Sequence, residues 1–184
     1  MTVAISFFMT EGGILWNILD VDSRILYIMG AKVNYLILEG HQWWRSIAHM
    51  FLHGGIIHLL FNMYALYLIG PGIERILGSI KFVLVYIFLG IGACIFSMLF
   101  TNGFSVGASG AIFGLLGINF TIAYLNKNNS FRNKEIFKNI AVLIFINLFI
   151  GFSSTGIDNA AHIGGLLFGI GVGYFIDLKM KRVW

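Results

Sequence analysis

Charge is what this sequence lacks most. Only 11% of its 184 residues are Asp, Glu, Lys or Arg, and 58% are hydrophobic, whereas soluble domains carry roughly 25% charged residues. That shortfall excludes a soluble globular domain. Nucleic acid is not indicated as a partner: the net charge is only +4, and the basic residues fall where they mark membrane topology. Proline is nearly absent. Its single occurrence, Pro71, is expected at a helix end, which argues against the broken midplane helices of a transporter. Cysteine is as scarce. Cys94 stands alone in an apolar run, where it reads as a small hydrophobe, and no disulfide framework exists. A basic leader with a small-residue cleavage site is also missing, so no cleavable signal peptide is expected. The length suits a single domain over residues 1–184.

What is present is a series of apolar runs. A membrane helix needs about 20 mostly apolar residues. Five runs qualify, near Gly54–Leu68, Ile80–Phe100, Ser105–Leu125, Ile136–Phe152 and Ala160–Ile176. The first of these is short, and its helix is expected to begin earlier, near Ile47. Ahead of them, Met1–Met9 is apolar until Glu11-Gly12-Gly13 interrupts it. Nine residues rise only about 14 Å as helix, half a bilayer. The N-terminal run is therefore expected to be a shortened first span, either a fragment or one continued through Ile14–Ile18, and residues are expected to be missing before Met1. The fold class is all-α, a polytopic membrane helix bundle.

The basic residues set the orientation. With the N-terminal run counted as the first span, Arg75 and Lys81 lie between the second and third. Lys127, Arg132, Lys134 and Lys138 lie between the fourth and fifth, and Lys179, Lys181 and Arg182 end the chain. The turns at 101–104 and 153–159 carry no Lys or Arg. The positive-inside rule puts the basic connections and the C-terminus in the cytoplasm and those turns outside. The segment 20–46 is outside as well, although it holds Arg24, Lys32 and Arg45; its Trp43 and Trp44 suit the water–lipid interface. The second, fourth and sixth spans then begin at the outer face, which places His58, Ser109 and His162 at one depth.

Polar groups in hydrocarbon are costly and point to function. Ser109 sits in "SVGASGAIFG", where Gly107, Gly110, Gly114 and Gly117 recur every three or four residues. Such glycines indicate close helix packing as readily as a backbone bared around a nucleophile. His162 sits in "NAAHIGGLLFGIGVG", where Ala161, Gly165, Gly169 and Gly173 are spaced by four and form a groove for another backbone. If that groove meets the glycine face of the fourth span, His162 reaches Ser109. A neutral imidazole there takes the serine proton and makes a nucleophile; the alternative is a histidine that bonds only for stability. In "HGGIIHLLFN", His58 and Asn62 are four apart and share a helix face. With the Ser109 N–H they suit an oxyanion hole; the alternative is an interhelical hydrogen-bond pair worth about 1 kcal/mol. His49 and His53 are also four apart, a spacing that admits zinc. The His-Glu-x-x-His pattern is absent, however, and no carboxylate lies in the spans near them, so no metal is expected.

These motifs, in this order, resemble the rhomboid family of intramembrane serine proteases. The match runs from Trp44 to Gly173, about 70% of the chain. "WWRSIAHMFLHGGIIHLLFNMYALYLIG" resembles the family's Trp-Arg loop and His-x-x-x-Asn helix, "GPGIERILGS" its Glu-containing motif, "GASGAIFG" its Gly-x-Ser-Gly motif, and "AHIGGLLFG" its Ala-His-x-x-Gly-x-x-x-Gly helix. The resemblance implies a six-span core with a water-filled cavity opening outward. It implies Ser109 as nucleophile, His162 as base and later acid, and an oxyanion site from His58, Asn62 and the Ser109 N–H. No cofactor is implied. A dyad without a third carboxylate is expected, so Asp158 is read as an N-cap of the last span. His53 is read as structural, and Glu74 as a tie between cytoplasmic helix ends. Phe113 stands where many members carry tyrosine, and its face is expected to pack against His162. The implied substrates are membrane-anchored proteins in the cell membrane, cut near the outer end of their transmembrane helix, at small residues in segments that unwind easily. The other reading is a catalytically silent rhomboid-like protein that binds transmembrane helices.

Overall fold

The computed structural model describes residues 20–128, 131–153 and 156–181. The first span expected over Met1–Ile18 lies outside them, as does Arg182. Three short helices come first: α1 (Ser23–Met29), α2 (Asn34–Leu38) and α3 (Arg45–Ala48). Five long ones follow: α4 (Ile56–Leu77), α5 (Ser79–Phe100), α6 (Ser109–Asn126), α7 (Phe131–Ser153) and α8 (Asn159–Lys181). All five are long and apolar enough to cross a membrane. Hydrocarbon offers no partner for a backbone N–H or C=O, so each apolar run satisfies its own ladder as a helix.

The bundle is built around α6. Within its apolar window 61% of residues are buried, against 6% for α7 at the periphery. Small residues make this possible. A Cβ on Gly165 would collide with the carbonyl oxygen of Gly110, and one on Gly169 with that of Gly114; one on Gly117 would strike the carbonyl of Leu166. The α6 and α8 backbones therefore lie directly against each other. On the other flank of α6, Gly114 admits Leu89 of α5 and Gly110 admits Ala93.

Two boundaries differ from expectation. The helix expected from Ile47 starts only at Ile56. Leu52 is extended, with φ −96° and ψ 144°, and Gly55 is fully extended at φ 173° and ψ 173°, a conformation at odds with helix. The preceding residues form α3 and a 3-10 turn over His49–Phe51 instead. At its other end α4 does not stop at Pro71 but runs through it to Leu77. Proline removes its own N–H and crowds the carbonyl four residues before it, a loss that membrane helices tolerate. Arg75 consequently lies within the last turn of α4 and Lys81 in the first turn of α5, with Gly78 as the link. The link is tight: Gly78 has φ +79°, its N–H donates to the Glu74 carbonyl at 2.7 Å, and Ser79 Oγ donates to Glu74 Oε1 at 2.6 Å. Glu74 thus joins the ends of α4 and α5.

The segment 20–55 folds over the end of the bundle that carries the α6 and α8 N-termini. Asp22 caps α1 by accepting from Arg24 N at 2.8 Å. Val21, Leu26, Ala31 and Leu52 bury a small apolar cluster that includes Val106. Arg45 is 4% exposed and donates to the Tyr27 carbonyl (2.7 Å), the Ala31 carbonyl (3.0 Å) and Gln42 Oε1 (2.7 Å). Trp43 and Trp44 remain half exposed. Of the three cations that broke the charge pattern here, two are held inside the fold, since Arg45 holds carbonyls and Lys32 is fully buried; Arg24 is exposed and pairs with Asp22 at 2.6 Å.

Gly169→Val should therefore separate α6 from α8. A loss of about 2–3 kcal/mol is expected from overpacking, read as a lowered thermal midpoint in detergent. Gly171→Val should leave the midpoint unchanged, because open space surrounds that position.

Candidate active site

Ser109 is the first residue of α6, so its N–H has no partner within the helix. The strand-like stretch before it is held from outside. Lys32 N donates to the Ser105 carbonyl at 2.9 Å, Ser105 N returns a bond to the Lys32 carbonyl at 3.2 Å, and Gly107 N donates to the His49 carbonyl at 2.9 Å. These bonds fix the approach of the chain to Ser109. Gly107 itself has φ +125°, a region that L side chains rarely adopt. A Cβ there would lie 2.9 Å from both Cε1 and Nε2 of His58. Gly107 thus faces α4, not the last helix, while Gly110, Gly165 and Gly169 stand in the helix contacts described above.

His162 lies in the first turn of α8. Its Nε2 is 2.9 Å from Ser109 Oγ. In the Nδ1–H tautomer, Nε2 accepts from the serine hydroxyl. The ring stacks on Phe113 with centroids 4.2 Å apart and planes 10° apart, which holds it flat against α6. Nδ1 is buried without a hydrogen-bond partner. Asp158 does not reach it. Its carboxylate accepts instead from Ala161 N at 3.0 Å, as an N-cap does, and from Ser97 Oγ.

His58 and Asn62 project from the first turns of α4. Gly54 N donates to His58 Nδ1 at 3.4 Å, which leaves the proton of a neutral ring on Nε2. That nitrogen is the one beside Gly107, whose missing Cβ would also lie 3.8 Å from Ser109 Oγ. Asn62 is buried and gives one amide hydrogen to the His58 carbonyl at 2.9 Å, leaving a second donor. His53 packs edge-on against His58, with centroids 5.2 Å apart. His49 and His53 do not share a helix, since the 3-10 turn ends at Phe51. Among the described residues, no three His, Cys, Asp or Glu side chains converge as metal ligands would.

Lys32, Ser97, Asn34 and Gln42 were not singled out from the sequence. Lys32 alone carried a signal there: a cation out of place in the outer segment.

A serine and an imidazole lie in part-buried hydrogen-bond contact at one end of a bundle whose long helices can cross a membrane. The chain belongs to the rhomboid family: the Rhomboid domain model matches residues 40–178. It is 45% identical over 150 residues to Rhomboid protease GluP of Bacillus subtilis (strain 168), covering 82% of this chain and 29% of that protein. To Rhomboid protease AarA of Providencia stuartii it is 37% identical over 193 aligned positions, covering 90% of this chain and 67% of that one. RHOMBOID-like protein 4 of Arabidopsis thaliana is 36% identical over 169 residues, covering 91% and 42%. The chain thus spans less than half the length of the Bacillus protein and of this Arabidopsis protein.

Gly107→Ala should cost about 1–3 kcal/mol, the strain of a side chain at positive φ, measured by thermal unfolding. Gly103→Ala, with open space around it, is the control and should be neutral.

Proposed function

We propose that this chain is an intramembrane serine endopeptidase that cleaves membrane-anchored proteins near the outer end of their transmembrane helix. The observation that carries the reading is the 2.9 Å contact between Ser109 Oγ and His162 Nε2. A serine hydroxyl is a weak nucleophile until a base accepts its proton. His162 Nε2 accepts that proton as Ser109 Oγ attacks the scissile carbonyl. The oxyanion that forms lies before three donors: His58 Nε2–H, the second Asn62 amide hydrogen, and the Ser109 N–H at the α6 N-terminus. The C–N bond breaks as the imidazolium gives its proton to the leaving amine. Water then attacks the acyl-serine, with His162 as base again, and Ser109 recovers its proton. Every step uses side chains and water, so no cofactor enters.

The bound state of Arg24, Lys32 and Arg45 supports the outward orientation of this end. With Lys32 and Arg45 held inside the fold and exposed Arg24 offset by Asp22, the basic residues Arg75, Lys81, Lys127, Lys134 and Lys138 lie at the opposite end, which reads as cytoplasmic together with the C-terminus. The substrate is then a transmembrane protein approaching from the surrounding lipid.

A fluorophosphonate probe should label the purified wild-type chain. Ser109→Ala and His162→Ala should both abolish labelling while the thermal midpoint is retained. His58→Ala and Asn62→Ala should retain a nucleophile but lower the turnover of a transmembrane substrate by about 10²–10³-fold, the usual cost of one oxyanion donor. No labelling of folded wild type would sink the protease reading and favour a helix-binding role.

A further inference from the structure

Lys32 has 0% exposure, and a buried ammonium is stable only with compensation. Its direct partners are neutral: Nζ donates to the Thr101 carbonyl (3.4 Å), Thr101 Oγ1 (3.4 Å) and the Gly103 carbonyl (3.2 Å). The polar chain does not end there. Thr101 Oγ1 lies 3.1 Å from Ser97 Oγ, and Ser97 Oγ donates to Asp158 Oδ2. The single Thr101 hydrogen is shared between Ser97 Oγ and the Ser97 carbonyl at 3.0 Å, so a row of hydroxyl oxygens, and not a fixed relay of donors, leads from the ammonium to the carboxylate. Both ends of this chain are clamped. Lys32 is paired to Ser105 through its backbone, and Asn34 Nδ2 donates to the carbonyls of Met98 (3.1 Å) and Thr101 (2.9 Å). At the far end Asp158 Oδ1 accepts from Ala161 N and the Asp158 carbonyl accepts from His162 N at 3.2 Å.

We propose that buried Lys32 and part-buried Asp158 form a charge pair, linked through the Thr101 and Ser97 hydroxyls, that sets the first turn of α8 and so holds His162 against Ser109. Both are positioning residues; neither touches the reacting atoms. The inference rests on Ser109 and His162 being the reacting pair. Burial pushes the Lys32 ammonium below its usual range, and the first influence opposing that shift is Asp158. The other titratable groups that feel both charges are Cys94 on α5 and His49. His49 is pushed down to about 4 by burial, so it is neutral at pH 7 and does not replace Lys32 as the cation.

The test is a double-mutant cycle in the full chain with Lys32→Met, Asp158→Asn and both together. The asparagine side chain keeps an oxygen to cap Ala161 N; its NH2 takes the place of the oxygen that accepts from Ser97, so the Ser97 hydroxyl must turn to accept as the charge is removed. Each single change leaves the other charge uncompensated; the double change leaves none. The readouts are the maximal rate and the half-saturating concentration of fluorophosphonate labelling, the fraction of protein finally labelled, and the thermal midpoint. Each single variant should lower the maximal rate about 10- to 100-fold, as small misplacements of catalytic groups do, with the half-saturating concentration and the labelled fraction unchanged. The double variant should recover to within about threefold of wild type, and its thermal midpoint should exceed that of either single variant. Multiplicative rate losses with additive midpoint losses would overturn the pair, as would single variants labelled at the wild-type rate. A loss confined to the labelled fraction would overturn the positioning role. If wild type itself is not labelled, the protease reading fails, and the midpoint cycle alone decides the pair: recovery in the double variant supports it and additivity overturns it.

Discussion

Two helix backbones in direct contact are what the rest of this molecule depends on. Apolar side chains gain little from burying one another in lipid, because the hydrocarbon outside is as apolar as the interior. Cohesion must come from packing, and α6 and α8 supply it by presenting glycine to carbonyl at Gly165–Gly110 and Gly169–Gly114. Such contacts admit one separation and one axial register. Ser109 lies one residue before the first of these glycines on α6, and His162 three residues before its counterpart on α8. The register of the backbones therefore places Oγ and Nε2 within 2.9 Å. Phe113, stacked on the imidazole, removes the remaining rotational freedom.

A second layer, residues 20–55, secures what the helix pair leaves loose. The loop entering α6 has no helical ladder of its own, so its N–H and C=O groups need partners elsewhere. It finds them in Lys32 and His49. The layer is in turn held together by Arg45, whose guanidinium has donors enough to satisfy carbonyls from two turns at once. Cations spent in this way are no longer free to mark a membrane face. The serine, the histidines and the Lys32 network are thereby gathered at one end of the bundle, while Asn126 and the buried Asp177 pair toward the other.

The five long helices, the order of their polar residues, and the i, i+4 glycine pattern of α8 were all legible in the sequence, because hydropathy and small-residue spacing are local properties. The same locality explains the errors. Pro71 reads as a stop by local rules, yet α4 passes through it. Ile47 reads as the start of α4 but belongs to the short α3, and the extended Leu52 and Gly55 separate it from Ile56. Gly107 reads as one more packing glycine in a row of four. Its neighbour is the imidazole of His58, and a residue 49 positions away leaves no trace in spacing.

By itself the sequence determined the class of the protein: an all-α membrane bundle with a serine, a histidine and a His–Asn pair on three separate helices. Those features follow from the free energy of placing each side chain in water or lipid, which is a property of composition and period. Packing settled which of those groups meet, which histidine nitrogen faces the serine, and where the buried cations Lys32 and Arg45 find partners. Those outcomes depend on contacts between residues far apart in the chain. They are set by how closely two backbones can approach, a steric fact that exists only once the helices are packed.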